Sequence, residues 1–544
     1  MRTFILLCFK KGSESVSLIL QNIKTKVGAS KDEIIATAIK LFGIKISDVK
    51  SAGIYKSSVD ARKRDDIHFV SSVLVTLSNA GLEKAVAKRN KNAKFHEETT
   101  IAPKVSANKK SGRVVVAGFG PAGMFCALLL SEFGYNPIVL ERGDEVDSRV
   151  KKVESFFAGG ELDTETNVQF GEGGAGTFSD GKLMTRISDP LCRYILTRLV
   201  ELGAPEEILF EAKPHIGTDK LRSVVKAIRQ RIIQNGGEIR FLTKLQEINL
   251  VNNEIKSVTA SNNDIETSAL VLAIGHSARD TFEMLLNKGI VMEPKAFSVG
   301  ARIEHKQSSV DKSLYGDIAE KLSLPKGEYQ LSHRRPDGRA VYTFCMCPGG
   351  TVVAAASERE TVVTNGMSEY LRDGENANAA LVVSVSKDDF GSGILNGVDY
   401  ARSLEKRAYN LSGSYKAPAS TVGRFLEGTS HSASIIPSYR PGVIDADLDT
   451  LFPTFISEMM REGIRKFSRQ MACFGDMGAL LTAPETRTSS PVRITRGESL
   501  TALGITNLYP CGEGAGYAGG IVSAAVDGVK VATKIIESIA PCGE

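Results

Sequence analysis

The chain has 544 residues, which predicts two to four domains at about 150 residues per domain. Hydrophobic residues make up 42%, charged residues 24%, and there are 51 glycines, a composition typical of a soluble α/β protein with many tight turns. Eight cysteines are scattered without a CxxC pair, and no apolar run approaches the roughly 18 residues that cross a bilayer. These features argue against a disulfide framework, a zinc ribbon and a membrane span, and they favour a reducing cytoplasm.

The net charge of +5 conceals an asymmetry along the chain. Residues 1–110 contain 21 Lys and Arg against 10 Asp and Glu, a net charge of +11, whereas the remaining 434 residues carry −6. The change of sign comes just before a glycine-rich motif. It predicts a domain boundary there.

Residues 1–90 are predicted to form a small basic α+β domain of ferredoxin-like type. The apolar period of Lys31–Phe42 predicts a helix, and Ser30 with Glu33 forms a capping box at its start. The expected strands are Phe4–Phe9, Val49–Lys56 and His68–Leu77.

A basic loop, Lys56–Asp66, separates the last two of these strands. It is either a solvated turn or a docking surface for an anionic partner. Residues 91–112 lose hydrophobic periodicity, are rich in Lys and Asn, and are interpreted as a linker.

The segment that follows has the form of a nucleotide-binding β-α-β unit. A short apolar run, Val114–Ala117, predicts a buried strand, and Gly118, Gly120 and Gly123 follow at GxGxxG spacing. In this motif the first glycine permits a tight turn, the second leaves room for a pyrophosphate, and the third lets the helix pack close to the strand. The helix N-terminus then directs free N–H groups and its positive dipole end at the phosphates.

A second apolar strand ends at Glu141, 18 residues beyond Gly123. A carboxylate there can accept hydrogen bonds from both hydroxyls of an adenosine ribose. We therefore expect the first part of a nucleotide-binding core over residues 113–279.

A second glycine-rich segment, Asn167–Leu183, has five glycines within eleven residues. Such a density cannot form a stable helix or strand interior, because each glycine costs about 1 kcal/mol there. Its amides can instead approach a ligand closely, with Thr177, Ser179 and Asp180 as side-chain partners. A mobile surface loop is the alternative, although the flanking apolar residues favour a loop held inside the fold.

The remainder of the chain continues the core after a long insertion. A buried strand, Leu270–His276, carries Gly275 near its end, where backbone could lie against a bound dinucleotide. Residues 280–483 mix strand-like and helical runs and suit an inserted antiparallel domain. Residues 484–544 then supply a strand, the glycine turn Cys511–Gly520 with Glu513, and a helix of small residues.

Three elements, Gly118–Gly123, the strand ending at Gly275 and the turn Cys511–Gly520, resemble the FAD-binding motifs of the glutathione-reductase-like flavoprotein superfamily. The chain is still more similar to a bacterial family of largely uncharacterised FAD-dependent dehydrogenases. That family joins a small N-terminal α+β domain, a loop like Phe170–Leu183 and a segment like Pro484–Arg493. The resemblance implies an α/β fold with a Rossmann-type FAD-binding core and an inserted mixed or antiparallel substrate domain, but no particular substrate.

The resemblance also implies which residues hold FAD, non-covalently, with NAD(P)H as one candidate for a diffusing co-substrate. The residues expected at the pyrophosphate and adenosine are Gly118, Gly120, Pro121, Ala122, Gly123, Glu141 and Arg142. Those expected along the isoalloxazine or phosphates are Gly173, Gly174, Gly176, Thr177 and Asp180, with Gly275 nearby. Those expected at the ribityl and flavin end are Gly512, Glu513, Gly519, Gly520 and Ile521.

The sequence assigns no catalytic residue. Arg487 and Arg440 are candidate anchors for a carboxylate or phosphate substrate, with structural or surface salt bridges as the alternative. His333 and His431 are each either a general acid or simply exposed. Only one complete GxGxxG is present, so a second Rossmann domain for NAD(P)H is not supported.

Cys345 and Cys347 are the only close cysteine pair. Alternate residues of a strand share a face, so both thiols could line a site, although a structural core strand is favoured. Because no redox cysteine pair follows the first glycine motif, the disulfide-reductase subtype is disfavoured.

Three functions stay open. The first is a cytoplasmic FAD-dependent oxidoreductase that passes a hydride between flavin and a small organic substrate. The second, ranked lower, is a flavoprotein that binds RNA through basic residues 1–110. The third is a non-catalytic flavin-binding interaction protein. The sequence does not determine the electron partner or the oligomeric state.

Overall fold

The computed structural model describes residues 17–97, 101–320, 324–429 and 431–541. The predicted strand Phe4–Phe9 and the cysteines at positions 8 and 542 lie outside these residues. The described part is a mixed α/β structure with five sheets. Within it, no helix combines the length and apolar character needed to cross a membrane.

The N-terminal unit is a four-stranded antiparallel sheet packed against two helices, with strand order β2-β3-β1-β4. Leu18, Leu20, Val73 and Val75 of its two central strands form a core with the helices. Its elements in chain order are β1 (Ser17–Lys26), α1 (Lys31–Leu41), β2 (Val49–Asp60), β3 (His68–Leu77), α2 (Ala80–Arg89) and β4 (Ala93–His96).

The predicted capping box at the start of α1 is confirmed. The Glu33 amide donates to Ser30 Oγ at 3.2 Å, and the Ser30 amide donates to Glu33 Oε2 at 2.8 Å. These two bonds satisfy donors that a helix start otherwise leaves unpaired. Local sequence is therefore sufficient to define where this helix begins.

Two segments of this unit are more ordered than the sequence predicts. β4 lies inside the segment interpreted as a linker, so the connection begins only after His96. β2 continues to Asp60 and takes in the first half of the predicted basic loop. In the rest of that loop Arg62 Nε donates to Asp60 at 2.9 Å, and Arg64 donates to the Ser313 carbonyl at 3.2 Å.

The first part of the core begins at β5, the strand predicted before the GxGxxG motif. Its helices and strands in chain order are β5 (Arg113–Ala117), α3 (Pro121–Glu132), β6 (Ile138–Leu140), α4 (Val146–Phe157), α5 (Leu191–Glu201), α6 (Thr218–Gln234), β7 (Glu238–Arg240), β8 (Leu245–Val251), β9 (Glu254–Ala260), β10 (Asn263–Leu272) and α7 (Arg279–Asn287).

A second region is inserted after α7. Its elements in chain order are β11 (Met292–Pro294), β12 (Phe297–Lys306), α8 (Gln307–Tyr315), β13 (Ser332–Arg334), β14 (Ala340–Cys347), β15 (Thr351–Ala354), β16 (Thr364–Met367), β17 (Asn376–Val385), α9 (Lys387–Phe390), α10 (Asn396–Ser412), β18 (Ala417–Thr421), α11 (Val422–Glu427), β19 (Val443–Asp445), α12 (Thr454–Ser468), β20 (Leu480–Glu485) and β21 (Val492–Ile494).

The chain then returns to the core with β22 (Leu508–Pro510) and α13 (Ile521–Ser538). The parallel strands of the core have the order β7-β6-β5-β10-β22. The first part of β10 instead pairs with β9 and then β8 in an antiparallel arrangement. The carboxyl ends of β5, β6, β10 and β22 therefore meet at one edge, where ligands of open α/β sheets bind.

The inserted region is built on a seven-stranded sheet of order β13-β14-β17-β12-β20-β18-β19. All its pairs are antiparallel except β18 with β19. β12 is buried along nearly its whole length, so it lies at the centre of the hydrophobic core of this region. The strand-like and helical runs predicted over residues 280–483 include β12, β17, α10 and α12.

Candidate functional site

In the first glycine turn, Gly118–Gly123, the first and third glycines are tightly packed, as the GxGxxG spacing predicts. A Cβ added at Gly118, whose φ is +99°, would lie 2.3 Å from the Ala273 carbonyl oxygen. A Cβ added at Gly123 would lie 2.0 Å from the Gly118 carbonyl oxygen. These two positions are therefore closed to any larger residue by the protein itself.

Gly120 is different, because it does not face packed protein. It caps the start of α3, and a Cβ added there would meet only Gly174, at 3.8 Å. Pro121 occupies the first helical position, where its missing N–H costs nothing. The backbone at Gly120 is thus open to a ligand placed at the N-terminus of α3.

The second glycine-rich segment lies directly beside this turn, as a loop held inside the fold. The Gly173 amide donates to the Phe119 carbonyl at 2.9 Å. Gly176 lies between the starts of two helices, since its added Cβ would be 3.5 Å from Ile521 and 3.9 Å from Pro121. The N-termini of α3 and α13 therefore meet at this loop.

Arg149, from α4, holds this loop in place. Its guanidinium is fully buried and donates to the carbonyls of Asn167 at 2.9 Å, Val168 at 3.0 Å, Gly171 at 3.2 Å and Glu172 at 2.6 Å. Burial lowers the pKa of Arg149 to about 9. A buried arginine with this donor set fixes a backbone that glycine alone would leave free.

The C-terminal glycine turn completes the arrangement. A Cβ added at Gly512 would lie 2.7 Å from Ala122, and one at Gly514 would lie 2.5 Å from the Gly275 carbonyl oxygen. The Gly512 amide donates to Asp527 Oδ2 at 2.7 Å. All three glycine elements and the strand end at Gly275 thus meet at one place.

These elements leave glycine backbone accessible where FAD is predicted to bind, a surface that we call the groove. Among the described residues, no atom lies within 4 Å of a Cβ added at Gly275, Gly519 or Gly520, and a Cβ added at Gly120 meets only Gly174. Four backbone positions from three separate segments therefore face open space, and side chains there would fill it. A bound pyrophosphate and flavin require such accessible backbone, without side chains that would occupy their place.

The predicted adenosine residues are also together, at the end of β6. Glu141 is buried, and its carboxylate accepts from the amides of Phe119 at 2.8 Å, Gly143 at 2.9 Å and Gly171 at 2.9 Å. It thus joins the first glycine turn to the second, and one acceptor site on Oε2 stays available for a ribose hydroxyl.

Arg142 is held by carboxylates on either side. Its Nε donates to Glu165 at 2.7 Å, its two Nη atoms donate to Asp280 at 3.0 and 2.9 Å, and its guanidinium lies 4.0 Å from the Phe170 ring centroid. A cavity of about 290 Å³ opens beside it and reaches Ser277. This cavity lies on the side of the groove where adenosine is predicted.

Thr177 and Asp180 have protein partners. Thr177 Oγ1 donates to the Glu172 carbonyl at 3.0 Å. Asp180 pairs with Arg372 Nε at 2.9 Å and Lys182 Nζ at 2.9 Å. Burial opposes ionisation of Asp180, but the charges of Lys182 and Arg372 hold its pKa below the usual value. The structure therefore gives both residues a role in fixing the loop, and direct cofactor contact stays a prediction.

Ionisable groups gather where the flavin end is predicted. Burial raises the pKa of Glu513 to about 7, against the opposing charge of Lys295. Burial and the nearby charge of Arg487 lower the pKa of His276 to about 3, so its imidazole is neutral at pH 7. Glu513 can therefore exchange a proton near neutral pH, whereas His276 is a neutral hydrogen-bonding group.

The two predicted anchor arginines have different positions. Arg487 is buried, and its Nε and one Nη donate to Glu405 at 2.9 and 3.3 Å, while Nη1 has no hydrogen-bond partner among the described residues. Arg440 is on the surface and pairs with Glu154. His333 and His431 lie 3.5 and 3.4 Å from Glu462 and Glu427, so both are placed with surface carboxylates.

Comparison with known proteins identifies the relatives of this chain. An uncharacterised protein of Clostridium beijerinckii is 44% identical over 530 residues, which cover 96% of this chain and 99% of that protein. The chain belongs to the same family. A family profile described as "FAD-dependent protein, C-terminal domain-like" matches residues 296–488, and a domain of unknown function matches residues 19–76. The profile and the glycine-lined groove agree on FAD as the cofactor of this site.

Solved structures that match much of this chain at low identity include two enzymes. Glycine oxidase from Bacillus cereus is 12% identical, with 79% of this chain and 98% of that chain covered and a TM-score of 0.34. L-proline dehydrogenase from P. horikoshii is 12% identical, with 79% and 95% covered and a TM-score of 0.35. Similarity at this level carries no information about the substrate of this chain.

Several residues that shape the site are absent from the sequence-based set. Arg149 and Asp527 position two glycine loops, while His276 and Lys295 lie at the predicted flavin end. None of them belongs to a motif with a defined spacing. The one available signal is the position of Arg149 on the same face of α4 as the apolar residues Val146 and Val153, which indicates a buried charge.

Proposed function

We propose that this protein is an FAD-dependent dehydrogenase that transfers a hydride between a small organic substrate and the flavin. The observation that carries this proposal is the groove in which Gly120, Gly275, Gly519 and Gly520 face open space at the N-termini of two helices. FAD supplies the redox chemistry when it is bound. The protein supplies position, exclusion of water and electrostatics.

The residues of this chain have distinct parts in the proposal. Amides at the starts of α3 and α13 would bind the pyrophosphate and the flavin end. Glu513, whose pKa is raised to about 7, could hold a substrate proton, whereas His276 stays neutral and could only make hydrogen bonds to the substrate or flavin. Arg487 Nη1, buried and without a described partner, would orient a substrate carboxylate.

The test is optical and begins with the purified protein. We expect a yellow protein whose pigment is released by acid as intact FAD, because no covalent link is proposed. Anaerobic addition of NADH and then NADPH should bleach the pigment if either is the electron donor. A colourless protein that takes up no added FAD would overturn the proposal, and a pigment that no reductant of this kind bleaches would favour the non-catalytic alternative.

The N-terminal unit supports a second candidate function. Its β-α-β-β-α-β order with an antiparallel sheet is in keeping with the proposed ferredoxin-like class. Lys84, Lys88 and Lys94 line an open cleft of about 500 Å³ with Phe95, whose side chain is 49% exposed. Cations around an exposed aromatic ring suit a single-stranded nucleic acid.

This candidate predicts salt-dependent retention of the protein on single-stranded RNA. Phe95→Ala should weaken retention by stacking loss, and Lys88→Glu should reduce its salt dependence. Thr37→Ala is the control, because Thr37 is exposed on α1 and does not line the cleft. Equal retention of all three proteins would reject RNA as the partner of this cleft.

A further inference from the structure

Cys345 interrupts the strand that carries it. The register of β14 against β17 shifts between Phe344 and Cys347, and Cys345 has φ +43°. A non-glycine residue in this left-handed region is strained, and a bulge redirects its side chain. The regular alternation that the sequence predicts for Cys345 and Cys347 is therefore broken at this point.

The bulge also brings the two cysteines together. In a regular strand their Cα atoms would be about 6.6 Å apart, near the upper limit for a disulfide. Here the Cys347 thiol turns back and donates to the Cys345 carbonyl at 3.4 Å. Gly366 makes room for it, because a Cβ at that position would lie 3.0 Å from Cys347 Sγ.

The two thiols differ in access and acidity. Cys345 is half-buried and Cys347 is fully buried. A hydrogen bond from Cys347 and the charges of Arg302 and Lys182 lower the pKa of Cys345, whereas its partner and burial raise the pKa of Cys347. An accessible, acidic thiol beside a buried one is the arrangement of an attacking and a resolving cysteine.

The pair is near the flavin end of the groove. Arg302, which is buried and paired with Glu485, donates to the Cys345 carbonyl at 2.8 Å and so fixes the strained residue. Cys345 is also within electrostatic reach of Glu513, the acid of the C-terminal glycine turn. The pair is thus near the region where the proposed function places the flavin.

We propose that Cys345 and Cys347 form a reversible dithiol–disulfide pair whose reaction partner is a small organic disulfide. The Cys345 thiolate attacks one sulfur of the partner, which releases one thiolate and leaves a mixed disulfide on Cys345. Cys347, after losing its proton, attacks the Cys345 sulfur, and the second thiolate leaves. One partner disulfide is reduced to two thiols and one protein disulfide forms, so electrons and atoms balance. The location beside the flavin rests on the proposed function, whereas the exchange itself does not.

The test uses the full-length, FAD-loaded protein in mixtures of reduced and oxidised dithiothreitol. After alkylation and trypsin digestion, residues 340–359 form one peptide that contains both cysteines and no other. We expect this peptide to change reversibly between a doubly alkylated form and an unalkylated form about 2 Da lighter than the dithiol. A doubly alkylated peptide at every ratio would overturn the proposal.

Variants identify the order of attack. Cys347→Ser, treated with bis(2-hydroxyethyl) disulfide, should accumulate a mixed disulfide on Cys345, at least about tenfold faster than on Cys192. Cys345→Ser should leave Cys347 unmodified. Cys192→Ser is the matched control, since Cys192 is also a half-buried free thiol, and it should leave the peptide unchanged. Equal rates at Cys345 and Cys192 would contradict the proposal.

The visible spectrum, recorded on the same samples, separates the two hypotheses. A yellow protein without a reversible pair would reject the dithiol inference alone. A colourless protein with a reversible pair would reject FAD binding while retaining the exchange.

Discussion

The two sides of the proposed site are made in different ways. The cofactor side consists of backbone, with glycines from short motifs such as Gly118–Gly123 and Cys511–Gly520. The remainder of the site depends on charged side chains that meet from distant parts of the chain: Asp180 and Arg372 are 192 residues apart, and Arg279 and Glu405 are 126 apart. Cofactor recognition is therefore encoded in local spacing, and the reaction side in long-range pairs.

The largest expected effect tests the cofactor side. Gly120→Val should leave a folded protein without FAD, because an added Cβ meets only Gly174 at 3.8 Å and otherwise enters the open groove. Gly123→Ala should instead damage the fold, since its Cβ would lie 2.0 Å from the Gly118 carbonyl oxygen. The measurements are the visible absorbance and the circular dichroism of each purified variant.

The matched control for these variants is Gly53→Ala. Gly53 lies in β2, and in the described part of the chain no atom lies within 4 Å of a Cβ added there. This variant should keep both its fold and its pigment. Full colour in Gly120→Val would count against the pyrophosphate assignment, and a well-folded Gly123→Ala would count against the packing role of the third glycine.

The difference between local glycine spacing and long-range charge pairs explains how much of the site can be predicted from sequence. Gly118, Gly120 and Gly123 are identifiable because each constraint acts between residues a few positions apart. The helix over 31–42 is predicted for the same reason, by its period and its capping box. For residues whose constraints are local, the spacing in the sequence is enough to predict their positions in the structure.

Other features depend on contacts that no spacing reveals. Arg149 binds the loop carbonyls from a helix that reads as an ordinary amphipathic segment. β4 forms a strand because it pairs with β1, although its own polar sequence predicts a linker. Cys345 leaves the alternation of its strand through a bulge, which depends on the register with β17.

The second prediction concerns the long-range charges. Glu405→Gln should lower the free energy of unfolding by about 3 to 5 kcal/mol, because the carboxylate is fully buried between Arg279 and Arg487. Removing it leaves Arg487 as a buried charge without its counterion. The melting temperature of the holoprotein checks this, and a change no larger than that of a surface ion pair would contradict it.

The third prediction uses the titration of Glu513. Its folded-state pKa is raised by burial from 4.5 to about 7, so the folded chain prefers the neutral carboxyl. The associated stability is fully present below pH 4.5 and is lost as the pH rises to about 7, with a total of about 3 kcal/mol. Glu513→Gln does not titrate and should lack this loss.

The measurement for Glu513 is the melting temperature of the apoprotein between pH 5 and pH 8. The wild type should lose more stability over this range than Glu513→Gln. Parallel curves for the two proteins would show that Glu513 is ionised like an ordinary surface carboxylate. In that case the flavin end of the groove would be better hydrated than its burial indicates.

The smallest effect is expected at Arg440. Its ion pair with Glu154 joins side chains that are 47% and 41% exposed, so Arg440→Ala should change stability by about 1 kcal/mol or less and leave FAD content and turnover unaltered.

Arg487→Lys, by contrast, keeps the charge near Glu405 but removes the free Nη1 donor, and it should raise KM for a carboxylate substrate while the pigment stays bound. If Arg440→Ala lost turnover while Arg487→Lys did not, the residue that binds the substrate carboxylate would be Arg440 at the surface. That result would contradict the division between a cofactor side made of backbone and a reaction side made of charged side chains.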